Sequence, residues 1–284
     1  MDKITVESPA KINLGLNIIA KRDDGYHNLE TIFIPISLSD KLTFMKSEKL
    51  IVETNSELLN KQQNNLVTRA INLLEEISGK NISVKINIDK VIPIGGGLGG
   101  GSSNAATTLK TINRIFNLNL IGDKLIQIAL KLGSDVPYFL NPVPAYAESR
   151  GEILHPLNAE IPYPILVVNP GLNINTRWAF QKIKPSKPIH RLRTIDSKDL
   201  TDLDYLKENI KNDFEFVIFK ELPLIKEIKD NLYDQGAKFA LMSGTGSTIF
   251  GIFSNLQKAY WAEEFFKKDY FTFLHDPIKK GSIT

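Results

Sequence analysis

The stretch PIGGGLGGGSSN, residues 93–104, holds six glycines in the seven positions from Gly95 to Gly101, with Leu98 the one interruption. A third of the chain's 18 glycines lie there. The residues before it, ISVKINIDK, alternate apolar and polar as a strand does. Those after it keep helical spacing, with Ala105, Leu109, Ile112 and Phe116 on one face. A strand, a bare loop and a helix in that order make an anion site. Glycines let successive N–H groups converge without obstruction by Cβ atoms. The helix start adds unpaired N–H groups and the positive end of its dipole. Pro93, Ile94, Gly95, Gly96, Gly97, Leu98, Gly99, Gly100, Gly101, Ser102 and Ser103 are therefore the phosphate-binding candidates.

Three common phosphate loops do not fit. A P-loop needs lysine after its last glycine, and Gly101 is followed by Ser102. The dinucleotide spacing is met by Gly95, Gly97 and Gly100, but NRIFNLNLIGDK reads as helix end and turn. The second strand with its acidic end is missing. The protein-kinase glycine loop requires VAIK, HRD and DFG segments, and none occurs.

Outward from the loop, ITVESPAKINLGLNIIA predicts a strand, a break at Pro9 and a second strand alternating through Ile12, Leu14, Leu16 and Ile18. A turn at Asp24-Gly25 hands over to TIFIPISLSD, and KLTFM and LIVET read as short strands of a meander. Residues 64–78 predict a helix with Leu66, Ala70, Leu73, Leu74 and Ile77 on one face, ended by Gly79. DKLIQIALKL predicts another, ended by Gly133. Near residue 155 the texture changes. PLNAEIPYP reads as a connection and ILVVN as a buried strand. QKIKPSKPIHRLR and the acidic DSKDLTDLDY read as a solvated loop and a helix start. NDFEFVIFKE and LPLIKEIKDNLYDQG then predict helices, KFALM and TIFGIF strands about the turn SGTGS, and LQKAYWAEEFFKK a last helix. The fold class is α+β, in two domains, 1–155 and 156–284.

At 284 residues the chain is long enough for two domains of ~150 residues each. A net charge of +3 gives no reason to expect nucleic acid or a membrane surface as partner. The absence of cysteine excludes disulfides, thiolate metal sites and cysteine nucleophiles. The four histidines, His27, His155, His190 and His275, are too scattered to suggest a metal cluster. No apolar run approaches the ~18 residues of a membrane span, and the first residues hold no apolar signal core. A cytoplasmic protein is expected.

Four segments, in order, resemble the GHMP kinases (galactokinase, homoserine kinase, mevalonate kinase and phosphomevalonate kinase). PIGGGLGGGSSNAA resembles their central ATP-binding motif. SPAKINLGLNI with DGYHNLETIF resembles the first motif and substrate segment of the branch whose acceptor carries cytidine diphosphate. LGSDVPYFL resembles the catalytic-aspartate segment, and MSGTGSTIFGIF the third motif. The likeness covers essentially the whole chain. Ser149 and Thr245 depart from it, standing in loops where glycine and serine are expected.

The resemblance implies a two-domain GHMP kinase fold with the active site, ATP and Mg²⁺ in the cleft between domains. It also implies a left-handed βαβ crossover, an exception to the usual hand. The implied reaction moves the γ-phosphate of ATP to the 2-hydroxyl of 4-diphosphocytidyl-2-C-methyl-D-erythritol, a step of the non-mevalonate route to isoprenoid precursors. In it Asp135 orients or deprotonates the hydroxyl; by its own sequence context Asp135 could equally cap a helix. Lys11 shares a strand face with Asn13, and the resemblance makes Lys11 the charge that keeps Asp135 ionised and Asn13 an acceptor ligand. Tyr26 stacks on the cytosine, His27 bonds its edge, and Phe180 closes the sandwich, with Trp178 its rival. Gly244 and Gly246 let backbone approach the transfer site, and Ser103 and water are the candidate Mg²⁺ ligands. Two other readings stand beside this one. A smaller-substrate kinase such as homoserine kinase has little use for the Tyr26–His27–Phe180 set. A nucleotide-binding regulator without catalysis has no use for Lys11 and Asp135.

Overall fold

The computed structural model describes residues 3–60 and 65–278. The chain packs as two compact units, neither continuous in sequence. The first takes the chain up to Ala10, Leu38–Ile92 and Gly99–Pro142; the second takes Lys11–Ser37, Pro93–Leu98 and the chain from Val143 onward. Two long strands contribute to both: β1 (Ile4–Lys21) and β2 (His27–Lys46).

The expected break at Pro9 does not occur. β1 runs through it for 18 residues, with β2 as its only partner among the named strands. An edge strand tolerates proline because one side of its ladder is unused. KLTFM is likewise no separate strand but the end of β2, whose Lys41–Lys46 pair antiparallel with β4 (Val84–Asp89).

In the first unit β4 pairs parallel with β3 (Ile51–Thr54), so LIVET is not the next strand of a meander. A parallel neighbour needs a crossover, and α1 (Glu57–Asn60) and α2 (Leu66–Ser78) lie on it. Asn65 caps α2, its side-chain oxygen accepting from the N–H groups of Val67 and Thr68, and Gly79 closes it at φ 66°. The buried face is Val67, Ala70, Ile71 and Leu74, rotated from the expected one; Asn64 lies outside the described residues. α3 (Gly100–Ile115) packs on α2 and buries Ala105, Ala106, Leu109 and Ile112. α4 (Asp123–Leu132) and a 3₁₀ turn at Pro137–Leu140 complete this unit.

In the second unit Leu29–Phe33 of β2 pair antiparallel with β5 (Ala145–Ser149), and β5 with β6 (Ile153–Pro156). A second antiparallel sheet orders β10 (Phe271–His275), β7 (Ile165–Asn169), β9 (Ile249–Ile252) and β8 (Phe239–Met242). The helices of this unit are α5 (Thr176–Lys182), α6 (Leu203–Asn209), α7 (Phe214–Glu221), α8 (Pro223–Asp234) and α9 (Leu256–Phe266). Its core joins Leu166 and Val168 of β7 to Phe214, Ile228, Leu232 and Phe266. No described helix is long and apolar enough to cross a membrane.

Candidate active site

The start of α3 is an open helix N-terminus. Gly99, at φ 72°, caps α3 without any side-chain hydrogen bond. The N–H groups of the first turn, on Gly100, Gly101 and Ser102, therefore have no intrahelical partner. Two glycines show different reasons for being bare. A Cβ on Gly97, itself at φ 77°, would lie 2.1 Å from the carbonyl oxygen of Ser243. The loop there is pressed against the second glycine turn. A Cβ on the exposed Gly101 would meet only Leu66, at an ordinary 3.6 Å. Nothing among the described residues requires that position to be bare.

The start of the loop is held by a buried ion pair in the first unit. Asp40 Oδ1 accepts from the N–H groups of Val91 (2.7 Å) and Ile92 (2.8 Å), and Lys90 Nζ sits 2.9 Å from Asp40 Oδ2. Lys90 Nζ also donates to the Ile92 carbonyl. Burial pushes the Lys90 ammonium below its usual range, and Asp40 opposes that shift. Nothing in the sequence pattern signalled this anchor, because its halves lie 50 residues apart.

Around Gly97, the second unit gathers the residues of the first and third motifs. Lys11 is 3 % exposed; its Nζ donates to the Gly97 carbonyl at 3.3 Å and to Asn13 Oδ1, and lies 5.0 Å from the Phe33 ring centre. Ser243 Oγ donates to the same carbonyl at 2.8 Å and accepts from the Asn13 N–H at 3.1 Å. Asn13 Nδ2 donates to Thr31 Oγ1 at 2.9 Å, and Thr31 Oγ1 in turn donates to the Gly15 carbonyl at 2.6 Å. A Cβ on Gly244 would lie 3.3 Å from Asn13 Oδ1, and one on Gly246 2.7 Å from Met242 Sδ. Asn212 fixes this turn from behind, donating to the Met242 and Gly244 carbonyls at 2.7 and 2.8 Å. The structure thus brings Lys11, Asn13, Gly97, Gly244 and Gly246 together. Sequence reasoning missed Thr31, Asn212 and Ser243; only the serine heading the SGTGS turn carried a signal.

Asp135 belongs to the first unit, partly buried in the turn between Gly133 and the 3₁₀ segment. Its carboxylate is felt by Tyr138, whose phenol is held well above its usual range, first by burial and then by Asp135.

The turn before β2 presents Tyr26 and His27 to opposite sides. Arg22 bonds Asp24 within it, and Asp24 Oδ1 accepts from the Tyr26 N–H at 3.0 Å. Tyr26 is 54 % exposed, with the Arg150 guanidinium 4.9 Å from its ring centre. His27 turns inward and stacks on Phe180 at 5.1 Å and 30°. Phe180 in turn meets Phe214 edge-on at 4.9 Å. Burial, with Lys21 nearby, pushes the His27 ring below its usual pKa and favours its neutral form. Trp178 is also partly buried against the core of this unit. Ser149 explains one departure from the family pattern. It sits at φ 67°, where glycine is at ease. Its Oγ accepts from Arg22 at 3.0 Å and donates to Glu152 at 3.2 Å.

Ser103 is wholly buried and accepts a hydrogen bond from Ser8 Oγ at 2.8 Å. Among the described residues no three His, Cys, Asp or Glu side chains group as metal ligands.

Comparison with known proteins points one way. The profile described as GHMP kinases N terminal domain matches residues 65–141, and that described as GHMP kinases C terminal matches 196–271. The chain is 40 % identical to 4-diphosphocytidyl-2-C-methyl-D-erythritol kinase of Chlorobium luteolum over 282 residues, 98 % of each chain. It is 43 % identical to the Bacteroides fragilis protein of that name over 255 residues, 88 % of this chain and 92 % of the other. The solved structure of a 4-(cytidine 5'-diphospho)-2C-methyl-D-erythritol kinase superposes with a TM-score of 0.84 at 33 % identity, covering 96 % of this chain and 98 % of that one. Homoserine kinase from Cytophaga hutchinsonii shares the fold, with a TM-score of 0.72 at 16 % identity over 97 % of this chain and 95 % of that one.

Proposed function

The chain belongs to the GHMP kinases, and from that premise we propose that it phosphorylates the 2-hydroxyl of 4-diphosphocytidyl-2-C-methyl-D-erythritol with ATP, in the cytoplasm. Its relatives of that name, at about two-fifths identity over nearly their whole length, support the acceptor. The observation that carries the reading is the junction at Gly97. Its carbonyl receives Lys11 Nζ and Ser243 Oγ, tying the phosphate loop to the strand of Asn13 and to the third motif.

In the proposed reaction the acceptor's 2-hydroxyl oxygen bonds to the γ-phosphorus, the bond from that phosphorus to the bridging oxygen breaks, and ADP leaves. The hydroxyl proton passes to the Asp135 carboxylate. Lys11 lends positive charge that favours the alkoxide, and Asn13 holds the acceptor. The uncapped turn at Gly100, Gly101 and Ser102 takes phosphate oxygens. A bound Mg²⁺ would supply neutralisation of the phosphate charge. Neutral His27 can both donate to and accept from a base edge, and Tyr26 offers an exposed face for stacking, while Phe180 lies against His27. The domains 1–155 and 156–284 remain our division of the chain by sequence. The two family profiles fall on either side of that boundary.

The test is incubation with ATP, Mg²⁺ and a panel of hydroxyl acceptors, with the phosphorylated position mapped by NMR. Phosphate is expected on the 2-hydroxyl of the cytidine-diphosphate compound, and Asp135→Asn should lower turnover ~10²–10⁴-fold with binding retained. Phosphorylation of homoserine in preference would overturn the reading.

A further inference from the structure

Residues 183–191, running on from α5, form the largely exposed loop that their basic composition suggests, but one tethered to the fold at several points. The Ser186 N–H donates to the Ile18 carbonyl at 3.0 Å, and Asn17 Nδ2 donates to the His190 carbonyl at 3.3 Å. Arg191 then reaches inward. Its Nε donates to Glu30 Oε1 at 2.5 Å, its Nη2 pairs with the same oxygen, and the Leu192 N–H donates to Glu30 Oε2 at 3.3 Å. The Leu192 side chain occupies the space a Cβ on Gly15 would need, 3.0 Å away.

Glu30 is the unusual partner. Its side chain has no exposure, whereas that of Arg191 is half exposed. It also stands directly across the ladder from Glu148, an arrangement of like charges that is unfavourable without compensation. His155 Nε2 lies 3.1 Å from Glu148 Oε1, and Tyr146 donates to Glu148 Oε2 at 3.2 Å, so Glu148 has its own partners. Arg191 is the cation in contact with Glu30. Burying a carboxylate is costly unless it is paired and hydrogen-bonded, so the pair holds the segment in one place.

That place matters for the site. Glu30 precedes Thr31, which holds the Asn13 amide, and the pinned segment begins where α5, the helix of Phe180, ends. We propose that the Arg191–Glu30 pair is a latch that fastens the 183–191 segment onto β1 and β2, and so positions Phe180 and Asn13 for the nucleoside-diphosphate acceptor. Arg191 is a positioning residue: it sets acceptor affinity and leaves ATP binding and the transfer step alone. The proposal rests on the reading of this face as the acceptor site.

The experiment compares the intact wild-type enzyme with Arg191→Met and Arg191→Lys, measuring KM for acceptor and ATP, kcat, and amide hydrogen exchange at Ser186 and Leu192. Arg191→Met should raise the acceptor KM about tenfold or more, equivalent to 1.4 kcal/mol, with ATP KM and kcat within about twofold. The Ser186 and Leu192 amides should exchange faster. Arg191→Lys keeps the charge but not the fork, and should fall between. If Arg191→Met does not fold, the lysine variant carries the test alone. An unchanged acceptor KM in a folded variant, or equal changes for acceptor and ATP, overturns the latch while the enzyme stays active. A wild type that phosphorylates no cytidine-diphosphate acceptor overturns the functional reading and the latch with it.

Discussion

At the residue scale, the six-glycine run divides into positions the protein itself needs and a position it leaves open. Gly97 cannot carry a side chain because the Ser243 carbonyl occupies the space, and its φ of 77° disfavours one in any case. Gly101 can, since the nearest atom to an added Cβ among the described residues is Leu66 Cδ1 at 3.6 Å. Gly97→Ala should therefore lower Tm markedly. Gly101→Ala should keep or slightly raise it, as alanine usually does inside a helix. If the open face receives ATP phosphates, Gly101→Ala should also raise the ATP KM while leaving the acceptor KM alone. ATP kinetics unchanged in Gly101→Ala would mean the nucleotide does not approach the first turn of α3. The sequence showed where backbone is bare but not why, because each cause lies elsewhere in the chain. Lys11 and Asn13 were legible as a pair on one strand face. Thr31 was not, since a hydroxyl on a strand has no signature until its partner is known, and Ser243 was signalled only by its place at the head of the SGTGS turn.

At the scale of elements, the strand–loop–helix order around the glycines was legible because its periodicities are strong and the loop interrupts them. The elements misread were those whose limits depend on partners. β2 continues through SLSDKLTFMK because β4 pairs with its second half. β3 is parallel because α1 and α2 intervene before β4. β10, assigned no structure by its sequence, is a five-residue edge strand defined by its register against β7. The Asp40–Lys90 anchor acts on an element as well. Its side chains, 0 % and 5 % exposed, hold the end of the chain entering the loop. Asp40→Asn is nearly isosteric but leaves the Lys90 ammonium buried without its counter-charge. The expected loss is about 3–5 kcal/mol of stability, measured by urea unfolding. Adding Lys90→Met should recover much of it, because a buried pair replaced by neutral side chains costs less than a buried pair broken. A stability loss in the double variant as large as in Asp40→Asn would show that the backbone bonds to Val91 and Ile92, not the ion pair, are what matter.

For the whole molecule, a change of texture near residue 155 was visible, but the interleaving of two packing units was not. Hydrophobic period reports which face of a strand is buried, and says nothing of which unit each half of a long strand joins. The proposed acceptor residues Asn13, Tyr26, His27, Phe180, Gly244 and Gly246 come from three distant parts of the chain and all belong to the second unit. This gathering supports the central claim, that the second unit recognises a cytidine diphosphate. Stacking on Tyr26 cannot separate cytosine from uracil, because both present similar faces. The base edge can: cytosine offers an N4 donor and an N3 acceptor, and uracil reverses both. A site built for the cytosine pattern leaves buried groups unpaired when uracil enters, a mismatch that can cost ~10⁴-fold in kcat/KM. The direct measurement is kcat/KM for the cytidine-diphosphate and uridine-diphosphate forms of methylerythritol, at saturating ATP and Mg²⁺. A preference for the cytidine form of that order is expected; equal values for the two would contradict a nucleobase site at Tyr26 and His27.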